Sequence, residues 1–249
     1  MILIFCAFSA ELEPLRKRLT PAKALNIKGL KGARGRIGNS EIALVASGIG
    51  MRRAAENAHR AFEQIREADL VILTGVAGAL ADKLEIGDAI LGERLMTREG
   101  DDVRPARTIQ VSRTHFDQAS AALEAAGIRH TRGAILTVKY PLATEADKRT
   151  AGASTGAIAV DMETAVIAFE AASRGIPFIA IRTIMDTVEH DVAGAGFADE
   201  NGKVRPLKAA ATLARNPAMV AGVIRLVRNL RKASDAMAIA VEALARGLG

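Results

Sequence analysis

Short runs of apolar residues alternate along this chain with segments whose apolar positions return every three or four residues. The first pattern marks buried strands and the second marks amphipathic helices. A strand is predicted over residues 2–8, then a helix over 10–19 with Leu12, Leu15 and Leu19 on one face. Two β-type segments near 34–38 and 41–46 meet through Gly38-Asn39-Ser40, a hairpin-type turn. Residues 51–68 read as a long amphipathic helix. The buried strand 69–74 is expected to end at Gly75-Val76-Ala77-Gly78, and another strand covers 88–95. There follow a helix at 112–127, a strand at 133–138, a helix at 145–153 and a short strand at 158–160. A helix at 162–174 stops at Gly175, a glycine stop. The apolar strand 177–183 comes next. Residues 187–206 are rich in Gly and Asp and read as loop, and 207–249 as almost wholly helical with a break at Asn216-Pro217.

Alternating strands and helices imply a mixed or parallel sheet with helices on both faces. The expectation is one three-layer α/β domain over 1–249, with a catalytic core at 1–190 and a helical C-terminal extension at 207–249.

Composition narrows the choices. At 249 residues and 49% hydrophobic, the chain can bury a full core without covalent staples. Its one cysteine, Cys6, excludes an internal disulfide and fits a reducing cytoplasm. Cys6 lies in an apolar strand with no activating base nearby in sequence, so core packing is expected of it. No run is long and apolar enough for a membrane span, and the opening Met1-Ile2-Leu3-Ile4-Phe5 reads as a first strand, not a leader. With no Trp and one Tyr, Tyr140, stacking platforms for single-stranded nucleic acid are scarce, and no nucleic-acid partner is expected.

Charge is unevenly placed. Residues 201–249 hold nine Lys/Arg against two Asp/Glu, a net of +7 within an overall +6, so the first 200 residues sum to −1. A basic tail is compatible with nucleic acid, with an anionic lipid surface or simply with solubility.

The candidate chemistry sits at strand ends, where open α/β sheets bind ligands. Ser47-Gly48-Ile49-Gly50 follows an apolar strand and opens a helix, where free N–H groups can meet a ligand. Thr74-Gly75-Val76-Ala77-Gly78 repeats the theme, and its small residues would let a flat ligand lie against the backbone; close packing of helix and sheet is the bland alternative. Glu11 opens the first helix, a favourable place for any acid, and Glu13 fits that explanation alone. Val160-Asp161-Met162-Glu163 precedes or enters a helix. Asp186 follows an apolar strand and is either an N-cap or a proton carrier. His59, His115, His130 and His190 lack metal-ligand spacing; neither a metal nor a cofactor is expected.

Taken in order, Ala7-Phe8-Ser9-Ala10-Glu11, Ser47-Gly48-Ile49-Gly50, Thr74-Gly75-Val76-Ala77-Gly78 and Val160-Asp161-Met162-Glu163, with Asp186 beyond, resemble the purine nucleoside phosphorylase/uridine phosphorylase superfamily. Within it, the methylthioadenosine/S-adenosylhomocysteine nucleosidase branch is most similar, over about residues 2–190. The resemblance implies the nucleoside phosphorylase fold and cleavage of an N-glycosidic bond. It implies that Glu11 activates water, that Met162 and Glu163 hold the ribose, and that Asp186 protonates the purine N7. It also implies that Tyr140 packs on the base, with Val138 to Leu142, Pro141 among them, along the base edge. The remaining contacts would come from Ser47, Gly48, Ile49, Gly75, Val76, Ala77, Gly78 and Asp161. A homodimer is expected, since the family usually assembles so.

A narrower resemblance, to the hopanoid-associated phosphorylase group, rests on Thr144-Glu145-Ala146-Asp147-Lys148-Arg149, on Ser154 to Glu163, and on Asp199-Glu200-Asn201-Gly202-Lys203-Val204-Arg205-Pro206. It implies adenosylhopane, a lipid-linked adenine nucleoside, as substrate, and a cytoplasmic protein peripheral to the inner membrane face through its basic tail. One departure bears on the nucleophile. Phosphorylases of the superfamily place an Arg two residues before the first glycine of the second glycine motif and a Ser/Thr just after it; here these are Leu73 and Val76. Arg is the natural bidentate phosphate clamp, so its absence favours water, unless Arg52 or Arg53 turns toward a phosphate. Three readings stay open: a glycosidase for a lipid-linked adenine nucleoside, a methylthioadenosine/S-adenosylhomocysteine or futalosine-type nucleosidase, and a nucleoside-binding protein without catalysis.

Overall fold

The computed structural model describes residues 1–27, 29–98, 105–190 and 217–249. Ten strands and six helices are assigned among them. In chain order they are β1 Ile2–Cys6, α1 Ser9–Arg16, β2 Lys23–Ala24, β3 Gly32–Ile37, β4 Ser40–Ala46, α2 Met51–Gln64, β5 Leu70–Ala79, β6 Ala89–Arg98, β7 Arg107–Gln110 and α3 Arg113–Ala125. Then come β8 His130–Val138, α4 Glu145–Thr155, β9 Ala157–Asp161, α5 Thr164–Ser173, β10 Phe178–Asp186 and α6 Pro217–Gly247. The expected loop beyond 190 and the helix over 207–216 lie outside the described residues.

All ten strands join one mixed sheet. β1 lies at its centre, parallel to β4 and β5, and all five of its residues are buried. That is why it reads as an unbroken apolar run instead of alternating. The sheet does not stay open. β5 pairs with both β9 and β10, β10 with β6, β6 with β8, and β8 with β9, so five strands close into a ring. Helices α1 and α3 each pack on α6, which also lies along β10 and β5. Helices α2 and α5 form a second group, with α5 against β5, β6, β8 and β10. The layered α/β architecture expected from the alternation is the one observed.

Departures from the expected boundaries have local causes. β5 does not end at Thr74 but runs on to Ala79, because the glycines extend and keep the ladder to β10: Arg182 pairs with Gly75 and Thr183 with Val76. α2 stops at Gln64, four residues early, where Ile65 leaves the helix and is buried. α5 ends as expected: Gly175 adopts φ +68°, and the N–H groups of Gly175 and Ile176 close on the carbonyls of Ala172 and Ala171. The edge strands β2 and β7 were not anticipated. They are mostly exposed and carry no apolar alternation to mark them.

Candidate active site

Strand register assembles the site. Gly78 on β5 pairs with Asp186 on β10 on one side and with Val160 on β9 on the other. Three segments distant in sequence thus end side by side. Asp186 is the last residue of β10, not a residue beyond it, and a β-bulge separates it from Ile184. Successive residues of a regular strand point to opposite faces. The bulge breaks that rule, and Met185 and Asp186 both line the same cavity.

That cavity measures about 210 Å³, many times the roughly 10–15 Å³ one water needs. Of the residues expected to touch a ligand, Glu11, Ile49, Val76, Ala77, Gly78, Val138, Pro141, Asp161, Met162, Glu163 and Asp186 line it. Ala7, Phe8, Leu142, Val160 and Met185 complete the wall. Apolar walls with a few convergent polar groups are the usual make-up of a small-molecule site.

Four expected contacts lie outside this wall. Tyr140 is not in the cavity wall. β8 ends at Val138, the chain swings outward, and Tyr140 is 54% exposed with the Lys139 ammonium 5.1 Å from its ring centroid. The aromatic residue in the wall is Phe8, which caps α1. Ser47 is buried, with its hydroxyl on the carbonyls of Cys6 and Gly48, outside the wall. Gly48 and Gly75 also stand outside it. Both adopt positive φ, +84° at Gly48 and +144° at Gly75, which favours glycine, and both are crowded by charged side chains. A Cβ on Gly75 would lie 2.0 Å from Arg182 Nη1 and 2.9 Å from Glu11 Oε1, and one on Gly48 would lie 2.3 Å from Arg53 Cδ. Gly78 does line the cavity, yet its Cβ would meet Asp186 Oδ2 at 2.9 Å. Each glycine clears space for a charged side chain.

The carboxylates differ in surroundings. Glu11 is 1% exposed, and it accepts from the backbone N–H of Ala7 at 2.6 Å and of Val76 at 2.8 Å. Burial raises its proton affinity, against the pull of Arg182 and those N–H groups. Glu163, just ahead of α5, accepts from the Gly50 N–H at 2.7 Å. Burial first, then the neighbouring Asp161 charge, pushes it up to about 8. Asp161 has its carboxylate turned into the core. It accepts from Thr137 Oγ1 at 2.6 Å, from Thr164 Oγ1 and from the N–H groups of Glu163 and Thr164, and it pairs with Arg182 Nε at 2.8 Å. Its expected role as a ligand contact therefore does not fall to its carboxylate. Asp186 pairs with Lys148 at 2.5 Å; burial raises its pKa while Lys148 and then His190 lower it.

Two buried cations escaped the sequence reading. Arg182, 2% exposed, keeps Nη1 without a hydrogen-bond partner among the described residues. A signal existed: it interrupts an otherwise apolar strand just ahead of Asp186. Lys148, 0% exposed, sits in a run of charged residues that reads as solvated helix, and no signal marked it. Cys6 behaves as core: burial pushes its thiol pKa well up, which leaves it unreactive. Glu13 is exposed and pairs with Arg16.

Known proteins agree with this frame. A phosphorylase superfamily model matches residues 1–216. A 5'-methylthioadenosine/S-adenosylhomocysteine nucleosidase of Haemophilus ducreyi is 29% identical over 209 residues, covering 75% of this chain and 84% of that protein. One from Staphylococcus aureus is 24% identical over 197 residues, covering 75% and 86%. Among solved structures, the nucleosidase of Neisseria meningitidis in complex with methylthio-immucillin-A superposes with a TM-score of 0.78 at 20% identity, covering 98% of each chain. The futalosine hydrolase of Helicobacter pylori gives 0.75 at 19%, covering 98% of this chain and 96% of that one.

Proposed function

The chain belongs to the phosphorylase superfamily, and on that footing we propose that it cleaves the N-glycosidic bond of an adenine nucleoside, with water as the nucleophile. The observation that carries this is the convergence of Glu11, Glu163 and Asp186 on one largely apolar cavity. A ribosyl transition state approaches an oxocarbenium ion, and carboxylates beside the sugar stabilise it. Glu11, fixed by two backbone N–H groups, takes the proton of the attacking water. The Arg182 guanidinium lies beside Glu11 behind the cavity wall and acts on the carboxylate, not on the water. Glu163 accepts from the ribose hydroxyls, and Met162 lies against the sugar. Adenine leaves poorly as an anion, and Asp186 protonates N7 as the bond breaks. Phe8, Val76 and Val138 supply apolar contact to the base and its substituents.

The absence of a phosphate clamp favours hydrolysis over phosphorolysis. Leu73 is wholly buried in the core, and Val76 offers no polar side-chain atom. Arg52 pairs with Glu56 at the surface, and the stem of Arg53 lies on Gly48.

The finer reading is a lipid-linked substrate, adenosylhopane, handled by a cytoplasmic homodimer at the inner membrane face. It is supported by the resemblance in residues 144–163 and 199–206 and by α6. In α6, Ile224 and Val227 are 65% and 61% exposed beside the exposed Arg225, Arg228 and Arg231. The second reading is a soluble nucleosidase for a 5'-substituted adenosine, favoured by the names of the relatives.

The test is adenine release in phosphate-free buffer from adenosine, methylthioadenosine, S-adenosylhomocysteine and adenosylhopane, with and without anionic vesicles. Adenine with a free reducing sugar is expected, fastest from the lipid-linked nucleoside and aided by vesicles at low salt. Strict phosphate dependence would overturn hydrolysis. Preference for a soluble nucleoside, with no vesicle effect, would overturn the lipid reading. Tight binding without release from any substrate would leave a binding protein.

A further inference from the structure

We infer that Lys148 is the positioning residue for Asp186, holding one carboxylate oxygen in place so that the other is presented to the leaving base. The inference rests on the glycosidase reading above and adds to it a residue whose charge acts through the acid.

The Lys148 ammonium has three N–H donors, and each has an acceptor inside the protein. They are Asp186 Oδ2 at 2.5 Å, the Thr187 carbonyl at 2.8 Å and the His190 carbonyl at 2.8 Å. No donor is left over for a ligand, so Lys148 neither binds substrate nor acts as a nucleophile. The stem comes from α4, whose start is fixed by the Thr144 side chain accepting from the Asp147 N–H. One side chain therefore ties α4 to the acid and to the turn that follows it.

Stability alone is a weak reason for this cation. Removing an ammonium from water costs more than most buried pairs recover, and an apolar residue of similar volume is often as stable. The consequence falls on Asp186. The charged groups facing it are Lys148 from α4 and His190 from the following turn; Glu11, Asp161 and Glu163 stand in the cavity wall. Burial makes Asp186 a weak acid and the ammonium makes it a stronger one. A proton donor works best when these opposed effects bring it near the working pH. The same ammonium takes Oδ2, which leaves Oδ1 for N7.

The experiment compares Lys148→Met with the wild type on two substrates. One is an adenine nucleoside that the wild type cleaves. The other is 4-nitrophenyl riboside, whose leaving group needs no proton. For Lys148→Met, kcat for adenine release should fall by about 10²-fold, with KM little changed and a far smaller loss on the nitrophenyl substrate. The alkaline limb of the pH profile should move to higher pH, because a rate that needs protonated Asp186 falls as pH rises through its pKa, and losing the cation raises that pKa. In an Asp186→Asn background, Lys148→Met should cost nothing further. Equal losses on both substrates, or an unmoved alkaline limb, would overturn the inference and leave the glycosidase reading intact. Should Lys148→Met not fold, Lys148→Arg keeps the charge and changes the reach. It should lose adenine release with the limb unmoved, and full activity in it would equally overturn the positioning role. A wild type that releases no adenine from any nucleoside would overturn the reading and the inference together.

Discussion

Two buried cation–carboxylate pairs flank the cavity, and they are built for different ends. In Arg182–Asp161 both side chains are sealed, at 2% and 1% exposure. The Asp161 oxygens are consumed by two threonine hydroxyls, two backbone N–H groups and the guanidinium. In Lys148–Asp186 the cation is sealed at 0%, but the carboxylate keeps 13% exposure and lines the cavity. The difference lies in what the carboxylate has left over. A fully satisfied buried carboxylate is a structural joint, here locking β8, β9, α5 and β10 together at the site's floor. A carboxylate with one oxygen on a cation and a place in the cavity wall is, on the proposed reading, a reagent held in aim.

Breaking the sealed pair should have the largest effect. Arg182→Met leaves Asp161 charged, buried and without its cation, which typically costs about 3–5 kcal/mol, a large share of the roughly 5–15 kcal/mol that holds a domain folded. Chemical denaturation should show that loss, together with lost turnover, since Glu11 also loses its neighbouring charge. Unchanged stability would erase the distinction between the two pairs.

Asp186→Asn should show the opposite balance. The amide oxygen still accepts from Lys148, so the fold should melt near the wild-type temperature. Adenine release should fall by about 10²–10⁴-fold, and adenine binding should survive. Near-normal turnover on an unactivated nucleoside would move the acid elsewhere.

Glu163 sharpens the comparison because, among the described residues, no cation hydrogen-bonds to it and the Gly50 N–H does. Burial and Asp161 lift it from 4.5 to about 8, so the folded state binds a proton that the unfolded chain releases. Its contribution to stability is full below about pH 4.5 and is lost as pH rises through about 8. Thermal stability should fall over that window, and Glu163→Gln should lessen the fall. An identical pH dependence in the variant would show that Glu163 is already ionised in the folded protein.

Local pattern carried much of this molecule. The unbroken apolar run of β1, the periodic Leu12 and Leu15, and the stop at Gly175 are properties of neighbouring residues, and each held; α1 stops at Arg16, so Leu19 is buried from beyond the helix. The carboxylates Glu11, Glu163 and Asp186 were legible because they sit at strand ends and in an ordered set of motifs, and the cavity they share lies where the alternation of strand and helix implied. What tertiary structure alone decided was the meaning of residues whose partners are distant in sequence. The glycines at 48 and 75 looked like ligand cradles, but Arg53 and Arg182 crowd them from outside the cavity wall. Tyr140 had the right chemistry for a base platform, yet the turn after β8 carries it outward and Phe8 stands in the wall. Lys148 looked like one more solvated charge on a helix. Whether a charge is solvated or sealed depends on what packs over it, and for Lys148 that is the end of β10, about forty residues further along the chain. Periodicity reports the face a side chain occupies; only the register that sets Gly78 between Asp186 and Val160 decides what it meets there.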